Sequence, residues 1–566
     1  MFEKQWGPTS PSPPPENARE NVFSHPLPFF TGNLSANEVR NAISKLKTNK
    51  TPGPDGAITE LFKWLDDHTL EQLTDCLNVF WTEKQVPDSF TQAQVCCIYK
   101  KGAHDNPENY RPISLLNTSY KIFASIIQSR LANILEPLLG DTQYGFRPKR
   151  STAEPLFCVR RLADFAEQGN DPLFLIFLDW EKAFDKIDHE KMFLSLSRLQ
   201  IPPNILDNIK SLYSNPTFQV LQSDHSSDWQ KQRTGIRQGC PLSPYLFILT
   251  MHVMFHDVKN QYHDPLHSKT FQGINFQELL YADDTLIIAK NSATANAFLH
   301  LIEKESEYLH LKLNHDKCNY IKFNAPRGNI RFRNGTEMKP TTEAKYLGSV
   351  ITNTPNPAQE IRRRISNTMP VLKKLDIFWN KTRCNKKWKL LVYNSVIVSR
   401  VLYGLESLEP TENIGRMLDV FQLKGLRKIL NLHTTFVNRN NTNEFVYQQA
   451  NDALEAPSVG PLRKIKPLIE ILEDKRLKLL GHVLRRPRSH PQHQVTFDSF
   501  LARPKVPTLR RVGRPRKFWT TENMRKAWEI IQQADNAQPH VPFDPANRTI
   551  RETLIAAARN YQAPFD

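Results

Sequence analysis

A short apolar run that ends in a carboxylate most constrains the fold of this chain. Residues 173–178 read Leu-Phe-Leu-Ile-Phe-Leu, and Asp179 follows directly. Six unbroken apolar residues are enough for a buried strand but few for a helix, so the run predicts a strand in the interior. A carboxylate at the end of such a strand is costly unless it is paired, solvated or bound to a metal. Asp179 is therefore the first candidate for a functional acid.

Two adjacent carboxylates stand in a second strand-like region. Residues 281–284 read Tyr-Ala-Asp-Asp and lie between two apolar runs. This pattern predicts a strand, a tight turn and a strand, with the acids at the tip. Asp283 and Asp284 repel each other unless a cation lies beside them, although an Asp-Asp pair in a turn is usually only a turn. With Asp179 as a third oxygen ligand, the set predicts a site for two Mg²⁺ ions, which prefer carboxylates and substrate phosphates.

Seven further motifs follow one another along the chain. They are residues 47–56 (Lys-Thr-Asn-Lys-Thr-Pro-Gly-Pro-Asp-Gly), 109–116 (Asn-Tyr-Arg-Pro-Ile-Ser-Leu-Leu), 143–152 (Gln-Tyr-Gly-Phe-Arg-Pro-Lys-Arg-Ser-Thr), 178–185 (Leu-Asp-Trp-Glu-Lys-Ala-Phe-Asp), 235–247 (Gly-Ile-Arg-Gln-Gly-Cys-Pro-Leu-Ser-Pro-Tyr-Leu-Phe), Leu313-Asn314 with Lys317, and 346–348 (Tyr-Leu-Gly). Together with residues 281–284, this series resembles the reverse transcriptase of a non-LTR (LINE-type) retrotransposon over about residues 31–410. One departure is the run 310–314, which lacks the Gly that the family often has before its Leu-Asn pair.

The resemblance implies an α+β fold of the right-hand polymerase type. Residues 31–170 are expected to form the N-terminal extension and fingers, 171–350 the palm with its antiparallel sheet, and 351–410 a helical thumb. Residues 411–566 are expected to form a mostly helical, basic region that binds nucleic acid. The lead, residues 1–30, is rich in Pro and has little hydrophobic periodicity, which predicts disorder. Ser35 and Glu38 have the spacing of a capping box, which predicts a helix start.

The resemblance also implies an activity, an RNA-directed DNA polymerase that extends a DNA 3′-hydroxyl primer on an RNA template. Asp179, Asp283 and Asp284 are then expected to hold two Mg²⁺ ions, with Mn²⁺ as a possible substitute. Lys317 resembles the Lys that protonates the leaving pyrophosphate, a role that needs a pKa shift which a sequence does not show. The expected partners are the RNA template, the DNA primer, their RNA–DNA hybrid and the dNTPs.

Further residues take expected roles from the same motifs. Those expected to contact the incoming nucleotide are Arg111, Arg147, Phe184, Gln238, Gly239 and Tyr281. Those expected at the primer or template are Lys149, Arg150, Tyr346, Leu347, Gly348, Arg362 and Arg363. A ring at Phe184 would collide with a 2′-hydroxyl, and guanidinium groups bind phosphates bidentately. The alternatives are a core Phe, a polar loop residue at Gln238, solvated surface cations, and an ordinary β-turn at residues 346–348.

Composition fits a partner that carries phosphates. The formal net charge is +17, and residues 361–390 contain ten Lys or Arg and a single acid, which general solubility does not explain. None of the seven cysteines forms a Cys-x-x-Cys pair, so neither a zinc site nor a disulfide framework is expected, which suits a reducing compartment. The sequence shows no signal peptide or membrane span. We expect an intracellular protein, nuclear during synthesis and cytoplasmic when bound to its RNA.

Beyond residue 410 the sequence is less informative. Residues 476–486 predict a basic amphipathic helix. Residues 510–519 mix cations with aromatics around an Arg-Pro-Arg, which favours an extended basic arm on RNA or DNA, with a nuclear-import signal or a solvated loop as alternatives. No endonuclease or RNase H domain is expected, and the chain resembles one piece of a longer element. Two other interpretations are a group II intron-like or retron-like reverse transcriptase, and a catalytically silent RNA-binding remnant, which a lost metal acid would mark.

Overall fold

The protein has a mixed α+β architecture. The structure is a computed structural model and describes residues 6–7, 19–222, 225–262, 271–324, 327–455, 464–498, 501–505, 517–534 and 541–565. The strands are β1 (Gln92–Tyr99), β2 (Tyr110–Leu115), β3 (Leu173–Leu178), β4 (Thr217–Gln222), β5 (His225–Ser226), β6 (Gln230–Lys231), β7 (Glu278–Tyr281), β8 (Asp284–Ala289), β9 (Asn319–Phe323), β10 (Lys339–Thr341), β11 (Glu343–Tyr346) and β12 (Ser349–Thr352).

Helices precede, separate and follow the strands. They are α1 (Ala36–Lys45), α2 (Thr59–Lys63), α3 (Asp67–Glu83), α4 (Asp88–Thr91), α5 (Thr118–Leu135), α6 (Ala153–Gly169), α7 (Ala183–Lys186), α8 (His189–Arg198), α9 (Pro203–Ser211), α10 (Ser243–Gln261), α11 (Ser292–Tyr308), α12 (Pro357–Lys374), α13 (Asp376–Lys381), α14 (Lys386–Val392), α15 (Ser399–Leu402), α16 (Glu412–Leu430), α17 (Asn443–Glu455), α18 (Leu468–Arg485), α19 (Pro491–Gln494), α20 (Trp519–Ala534) and α21 (Arg548–Arg559). In the described part of the chain no helix is both long enough and apolar enough to cross a membrane.

A five-stranded central sheet organises the molecule, in the order β10-β9-β3-β8-β7. The middle strand, β3, is antiparallel to both β8 and β9, and only the edge pair β10 and β9 is parallel. All six residues of β3 are buried, as the apolar run predicted. A second sheet has the order β2-β1-β4-β5, with β6 also paired to β4, and β11 and β12 form a separate hairpin.

The two faces of the central sheet belong to two different apolar cores. Successive side chains of a strand point to opposite faces. Phe174 and Ile176 therefore enter a first core, which contains residues of α1, α3, α5 and α8 to α11. Leu175 and Phe177 enter a second core, which contains residues of α6, α18, α20 and α21. Because both faces are covered, β3 is apolar throughout instead of alternating.

The disorder expected for residues 1–30 is wrong for residues 19–30, which pack on the first core. The Arg198 Nε donates to the Glu20 carbonyl at 2.8 Å, and the Val22 N–H donates to the Arg198 carbonyl at 2.9 Å. Arg19 pairs with Asp257 at 2.8 Å and lies over the Tyr308 ring. Composition could not show these partners, which are distant in sequence. Residues 1–5 and 8–18 of the same lead lie outside the described residues.

The first long helix of the N-terminal region begins as its capping residues predicted. The Glu38 N–H donates to the Ser35 Oγ at 3.3 Å, and the Ser35 N–H donates to the Glu38 carboxylate at 3.0 Å. This reciprocal pair of bonds satisfies two amide groups that a helix end otherwise leaves open. The helix α1 therefore has a fixed start, and its buried face, with Val39 and Ile43, joins the first core.

Helices α12 to α18, which follow the last hairpin, share a third core. It runs from Ile361 in α12 through Leu418 and Leu426 in α16 to Leu472 in α18. A single apolar cluster therefore lies on both sides of residue 410, where the sequence suggested the end of a thumb. Among its members, Trp379 and Tyr393 are both nearly fully buried.

The C-terminal helices pack against the central sheet rather than standing away from it. Arg476, in the predicted basic helix, is only 1% exposed and pairs with Glu409. Trp519, which sequence reasoning placed in a basic arm, is fully buried at the start of α20, with its ring 4.6 Å from that of Phe157. The prediction of an extended basic arm is therefore wrong for Trp519. An aromatic residue next to cations in the sequence can equally well belong to an apolar core. Residues 506–516, with most of the predicted arm, lie outside the described residues.

Candidate active site

Three carboxylates lie near one another at one end of the central sheet. Asp179 directly follows β3, and the tight turn between β7 and β8 contains Asp283, with Tyr281 paired to Asp284 across it. The register between β3 and β8 places Leu178 opposite Thr285, so the end of β3 and the turn lie side by side. The hairpin predicted from residues 281–284 is confirmed, with the acids at its tip.

Each acid of the hairpin is affected by burial and by its neighbours. Burial raises the pKa of the Asp283 carboxyl and the charge of Asp179 adds to this, whereas Arg111 and Lys100 oppose it. Burial by the surrounding protein raises the pKa of Asp284 to about 6, and the charges of Asp283 and Asp179 contribute to this rise. Part of the Asp284 side chain nevertheless reaches solvent. Negative charge is therefore crowded at this place, and a cation beside the carboxylates would relieve the repulsion.

In this structure the cation beside Asp179 is Lys317. The Lys317 Nζ lies 3.3 Å from the Asp179 Oδ2, and the two side chains are 67% and 45% exposed. The backbone around them is fixed, since the Asn314 N–H donates to the Asp179 carbonyl at 2.8 Å and the Asp179 N–H donates to the Cys318 Sγ at 3.4 Å. The segment after α11 therefore holds Lys317 at the end of β3.

The carboxylates fit a magnesium site by their chemistry. Within the described ranges, no group of three or more His, Cys, Asp or Glu side chains is close enough together to enclose a metal ion. Mg²⁺ does not require such a group, because it keeps several waters and commonly takes one or two carboxylates with phosphate oxygens from a substrate. Asp179, Asp283 and Asp284 offer hard oxygen ligands, and burial together with the neighbouring carboxylates raises the pKa of both Asp283 and Asp284, a cost that a bound cation would offset.

Further cations surround the acids. Burial lowers the pKa of Lys100, and the charges of Arg111, Lys317 and Lys182 lower it further, against the opposing effect of Asp185. Arg111 was a sequence candidate, whereas Lys100 and Lys182 were not. Lys100 directly follows β1, and its N–H donates to the Asn109 carbonyl at 2.7 Å, one residue before the strand that contains Arg111. The pairing of two strands, which the sequence did not show, is what gathers these cations.

The residues of the predicted nucleotide pocket are brought together. The Ile236 N–H donates to the Phe184 carbonyl at 2.7 Å, and the Gln238 Nε2 donates to the Asp185 Oδ1 at 3.5 Å. The Phe184 ring stacks on Phe247 with centroids 4.4 Å apart and remains partly exposed. Phe184 is therefore both a packed aromatic and accessible at the surface, which combines the two sequence interpretations. Asp185 was missed as a functional candidate because a single acid in a short helix has no distinguishing pattern.

Gly239 closes this pocket against the second sheet. Its φ is +135°, and a Cβ at this position would lie 2.3 Å from the Ser114 carbonyl oxygen. The Ser114 N–H in turn donates to the Gln238 carbonyl at 2.7 Å. Only a residue without a side chain permits this approach of two backbones. The sequence predicted that Gly239 contacts the incoming nucleotide. In the structure the backbone that it approaches closely is a strand of the protein, and the nucleotide contact stays a prediction.

Gln143 and Gly145 support the carboxylate hairpin through close contacts with its backbone. The Gln143 Oε1 accepts from the Ala282 N–H at 3.2 Å and from the Gly145 N–H at 2.9 Å. The backbone of Tyr144 donates to the Leu280 carbonyl at 2.8 Å. A Cβ on Gly145 would lie 2.2 Å from the backbone nitrogen of Ala282. Gln143 belongs to a motif recognised in the sequence, but it was not among the predicted site residues. Its side-chain amide fixes the turn.

Two arginines of the same motif are engaged inside the protein. Arg147 donates to the Glu136 carboxylate at 2.7 Å and to the carbonyls of Gly140 and Gln143. Arg150 donates to Asp141 at 2.9 Å and also contacts His490. Both guanidinium groups are thereby occupied, so the geometry favours structural roles over the phosphate contacts predicted for them. Lys149, between them, is exposed and has a φ of +59°.

The turn predicted to support the primer is built from backbone, with its aromatic turned inward. Tyr346 is buried, and its ring lies 5.7 Å from that of Phe177 in the second core. The Leu347 carbonyl accepts from the Tyr403 hydroxyl at 2.9 Å, and the Gly348 carbonyl accepts from Arg364 at 2.8 Å. The Leu347-Gly348 backbone is therefore the part of this motif that faces outward.

The remaining candidates differ in their accessibility. Arg362 is exposed on α12, while Arg363 donates to the Glu343 carboxylate at 3.0 Å. Tyr281 is half-buried and packs on the second core, and burial raises its pKa. Of the predicted cationic contacts, Arg111, Lys149 and Arg362 thus have exposed side chains, whereas Arg147 does not.

Comparisons with known proteins agree with this geometry. Residues 98–351 match the family model described as reverse transcriptase (RNA-dependent DNA polymerase). The RNA-directed DNA polymerase from the mobile element jockey of Drosophila melanogaster is 26% identical over 435 residues, which are 73% of this chain and 45% of that protein. An uncharacterized 149 kDa protein of transposon TX1 from Xenopus laevis is 28% identical over 46% of this chain and 20% of its own length.

The chain thus spans less than half the length of these relatives. Among solved structures, telomerase from Candida albicans with a fragment of telomeric RNA shares 14% identity over 67% of this chain and 68% of its own, with a TM-score of 0.37, which is too low to support a statement about the fold. The family match covers the carboxylates, the pocket and the hairpin described above. Residues 98–351 are thus similar to reverse transcriptases, and the chain is about a quarter identical to the RNA-directed DNA polymerase of the mobile element jockey and to the probable RNA-directed DNA polymerase of the X-element.

Proposed function

We propose that this protein is an RNA-directed DNA polymerase of a non-LTR retrotransposon, which extends a DNA 3′-hydroxyl primer on an RNA template. The observation that carries the proposal is that Asp179, Asp283 and Asp284 lie near one another at one end of the central sheet, within the electrostatic influence of the cations Arg111 and Lys100. Crowded carboxylates facing cations suit a substrate that brings both metal ions and phosphates.

The arrangement suits a right-hand polymerase. The central sheet takes the place of the palm, the second sheet and the helices before it that of the fingers, and the helices of the third core that of the thumb. The formal net charge of +17 supports a nucleic-acid partner, since a duplex needs its phosphates neutralised. Exposed Lys149 and Arg362 are proposed contacts to the hybrid.

The mechanism follows from the positions of the side chains. When bound, two Mg²⁺ ions would activate the primer hydroxyl and neutralise the triphosphate. Asp179, Asp283 and Asp284 would hold them, and the raised pKa values of the last two indicate a gain when a cation arrives. Arg111 and Lys100 would bind phosphate oxygens. Lys317, whose Nζ lies 3.3 Å from the Asp179 carboxylate, would donate a proton to the departing pyrophosphate.

Selection of the deoxy sugar is proposed for the Phe184 ring. Phe247 stacks on one side of this ring and Phe146 meets it edge-on, with centroids 5.9 Å apart. A ring held in this way does not yield to a 2′-hydroxyl, so a ribonucleotide would be excluded by steric overlap. Gln238 and Gly239, on the neighbouring loop, would contact the sugar and the base pair.

The test is primer extension on poly(rA)/oligo(dT) with Mg²⁺ and dTTP, with the parent chain and Asp283→Asn compared. The parent is expected to extend the primer, and the variant is expected to lose this activity while still binding the hybrid. A folded parent that binds the hybrid but does not extend the primer would instead favour an RNA-binding remnant. Extension that persists in the variant would show that the metal site lies elsewhere.

A Gly145→Ala substitution is expected to lower the rate of extension by about a hundredfold. The new Cβ would overlap the Ala282 nitrogen, and a displacement of about 1 Å in a catalytic group has an effect of this size. The rate is measured with saturating hybrid, and the thermal unfolding midpoint is recorded in parallel. Gly140→Ala is the matched control, because its Cβ would approach nothing closer than the Thr142 hydroxyl at 3.7 Å. Equal rates in the two variants would contradict the proposed support of the hairpin.

A further inference from the structure

A tryptophan near the start of the chain is buried beside the predicted nucleotide pocket. Trp6 is 2% exposed, and its indole lies edge-on against Phe218, with centroids 4.6 Å apart, in a small apolar cluster with Val95. Val95 belongs to β1 and Phe218 to β4, so the indole packs on the second sheet. A lone Trp in a Pro-rich lead gave no sign of this location.

The backbone of the same segment is attached to the loop that leads into the pocket. The Arg233 N–H donates to the Trp6 carbonyl at 2.9 Å, and the Thr234 hydroxyl donates to the Gly7 carbonyl at 3.4 Å. Gly235 follows with a φ of +78°, and a Cβ there would lie 2.6 Å from the Asp185 carbonyl oxygen. Trp6, this loop and Asp185 therefore form one packed unit.

One carboxylate oxygen connects Trp6 to the pocket. The Asp185 Oδ1 accepts from the Trp6 Nε1 at 3.2 Å and from the Gln238 Nε2 at 3.5 Å. Asp185 is almost fully buried, so the direction of its carboxylate is set by its bonds to protein. The indole N–H and the Gln238 amide thus donate to the same carboxylate oxygen, so the position of that oxygen couples the two side chains.

We propose that Trp6 is a positioning residue for the incoming nucleotide, acting through Asp185 on Gln238. This inference rests on the proposed polymerase function and deepens it, because it makes nucleotide affinity depend on a residue more than 170 positions before the carboxylate that it contacts. Without the indole N–H, the Asp185 carboxylate turns further toward Gln238 and holds its amide away from the nucleotide. The chemistry of the carboxylates at the end of β3 is unaffected.

The test is Trp6→Phe, which keeps a ring against Phe218 and removes only the N–H donor. Binding of dTTP is measured on poly(rA) with a dideoxy-terminated oligo(dT) primer, so that no reaction occurs, and KM and kcat are measured on an extendable primer. We expect the Kd and KM for dTTP to rise about tenfold, because the loss of one hydrogen bond to a charged group has an effect of this size. The kcat and the affinity for the hybrid are expected to stay unchanged. Trp229→Phe, at an exposed tryptophan, is the matched control.

A double-mutant cycle with Gln238→Ala separates positioning from simple destabilisation. If Trp6 acts through Gln238, the Trp6→Phe effect on dTTP affinity disappears in the Gln238→Ala background. An effect that persists there, or an unchanged dTTP affinity in folded Trp6→Phe, would overturn the proposal. If Trp6→Phe does not fold, Asp185→Asn tests the same oxygen, and parent-like dTTP affinity in that variant would overturn it as well. A parent chain that extends no primer would refute the polymerase function instead.

Discussion

Asp179→Asn is expected to reduce primer extension by about a thousandfold or more, with little change in affinity for the RNA–DNA hybrid. The substitution keeps the shape of the side chain and removes its charge. A neutral amide is a poor ligand for Mg²⁺, and the loss of one group that stabilises developing charge costs two to three orders of magnitude in rate. Lys317 also loses its partner at 3.3 Å, so the ammonium is no longer held at the end of β3.

The control for this prediction is Asp316→Asn. Asp316 is exposed and adjoins Lys317 in sequence, so the substitution changes the net charge of the same region by the same amount. It is expected to leave the extension rate within about twofold of the parent, because exposed charges at a distance are screened by salt. If both variants lost activity equally, a general electrostatic effect would explain the result and Asp179 would not be a metal ligand.

Asp257→Asn is expected to lower the free energy of unfolding by about 3 kcal/mol. Asp257 pairs with Arg198 through both carboxylate oxygens, at 2.6 and 2.7 Å, and with Arg19 at 2.8 Å. The Arg198 side chain is 8% exposed, so the variant leaves a buried cation without its charge partner, a change that typically costs 3 to about 5 kcal/mol. Urea unfolding of the two chains measures the difference, with the exposed Asp228→Asn as control.

The same pair predicts a dependence on pH. Burial would raise the pKa of Asp257, but the hydrogen bonds and charge of Arg198 outweigh it and hold the pKa well below the usual 3.8. A carboxyl whose pKa is lower in the folded state stabilises that state above its unfolded pKa and loses this contribution as the pH falls toward the folded value. The stability difference between parent and Asp257→Asn should therefore be constant above about pH 5 and shrink below pH 4. A difference that grew in acid would contradict this assignment.

Local pattern predicted the elements that carry the carboxylates. The apolar run gave the bounds of β3, and the Tyr-Ala-Asp-Asp turn gave the hairpin, because both depend on residues close in sequence. The roles of Arg147 and Arg150 did not follow in this way. A guanidinium binds a phosphate or an internal carboxylate equally well, and its neighbours in the fold decide between them. Arg147 contacts Glu136, and Arg150 contacts His490, which lies 340 residues further along the chain.

The described residues of the N-terminal lead show the same limit. Composition correctly marks residues 1–30 as poor in hydrophobic periodicity, yet Arg19 finds Asp257 238 residues further on. Trp6 likewise donates a hydrogen bond to Asp185, 179 residues further along the chain. Contacts between an N-terminal segment and a core that is distant in sequence produce no hydrophobic periodicity. They can therefore be recognised only in the folded structure.

The second core makes the carboxylate site and the C-terminal helices mutually dependent. Leu175 and Leu286 of the central sheet share this core with Leu480 and Trp519, which lie about 200 residues or more further along. A chain cut after residue 410 would keep α6 on that face of the sheet but lose the C-terminal part of its cover, and we expect the exposed apolar surface to make such a fragment aggregate. Grafting this centre onto the tail of a relative would likewise require a matched set of packing residues. The C-terminal helices and the sheet are thus two halves of one interior rather than exchangeable modules.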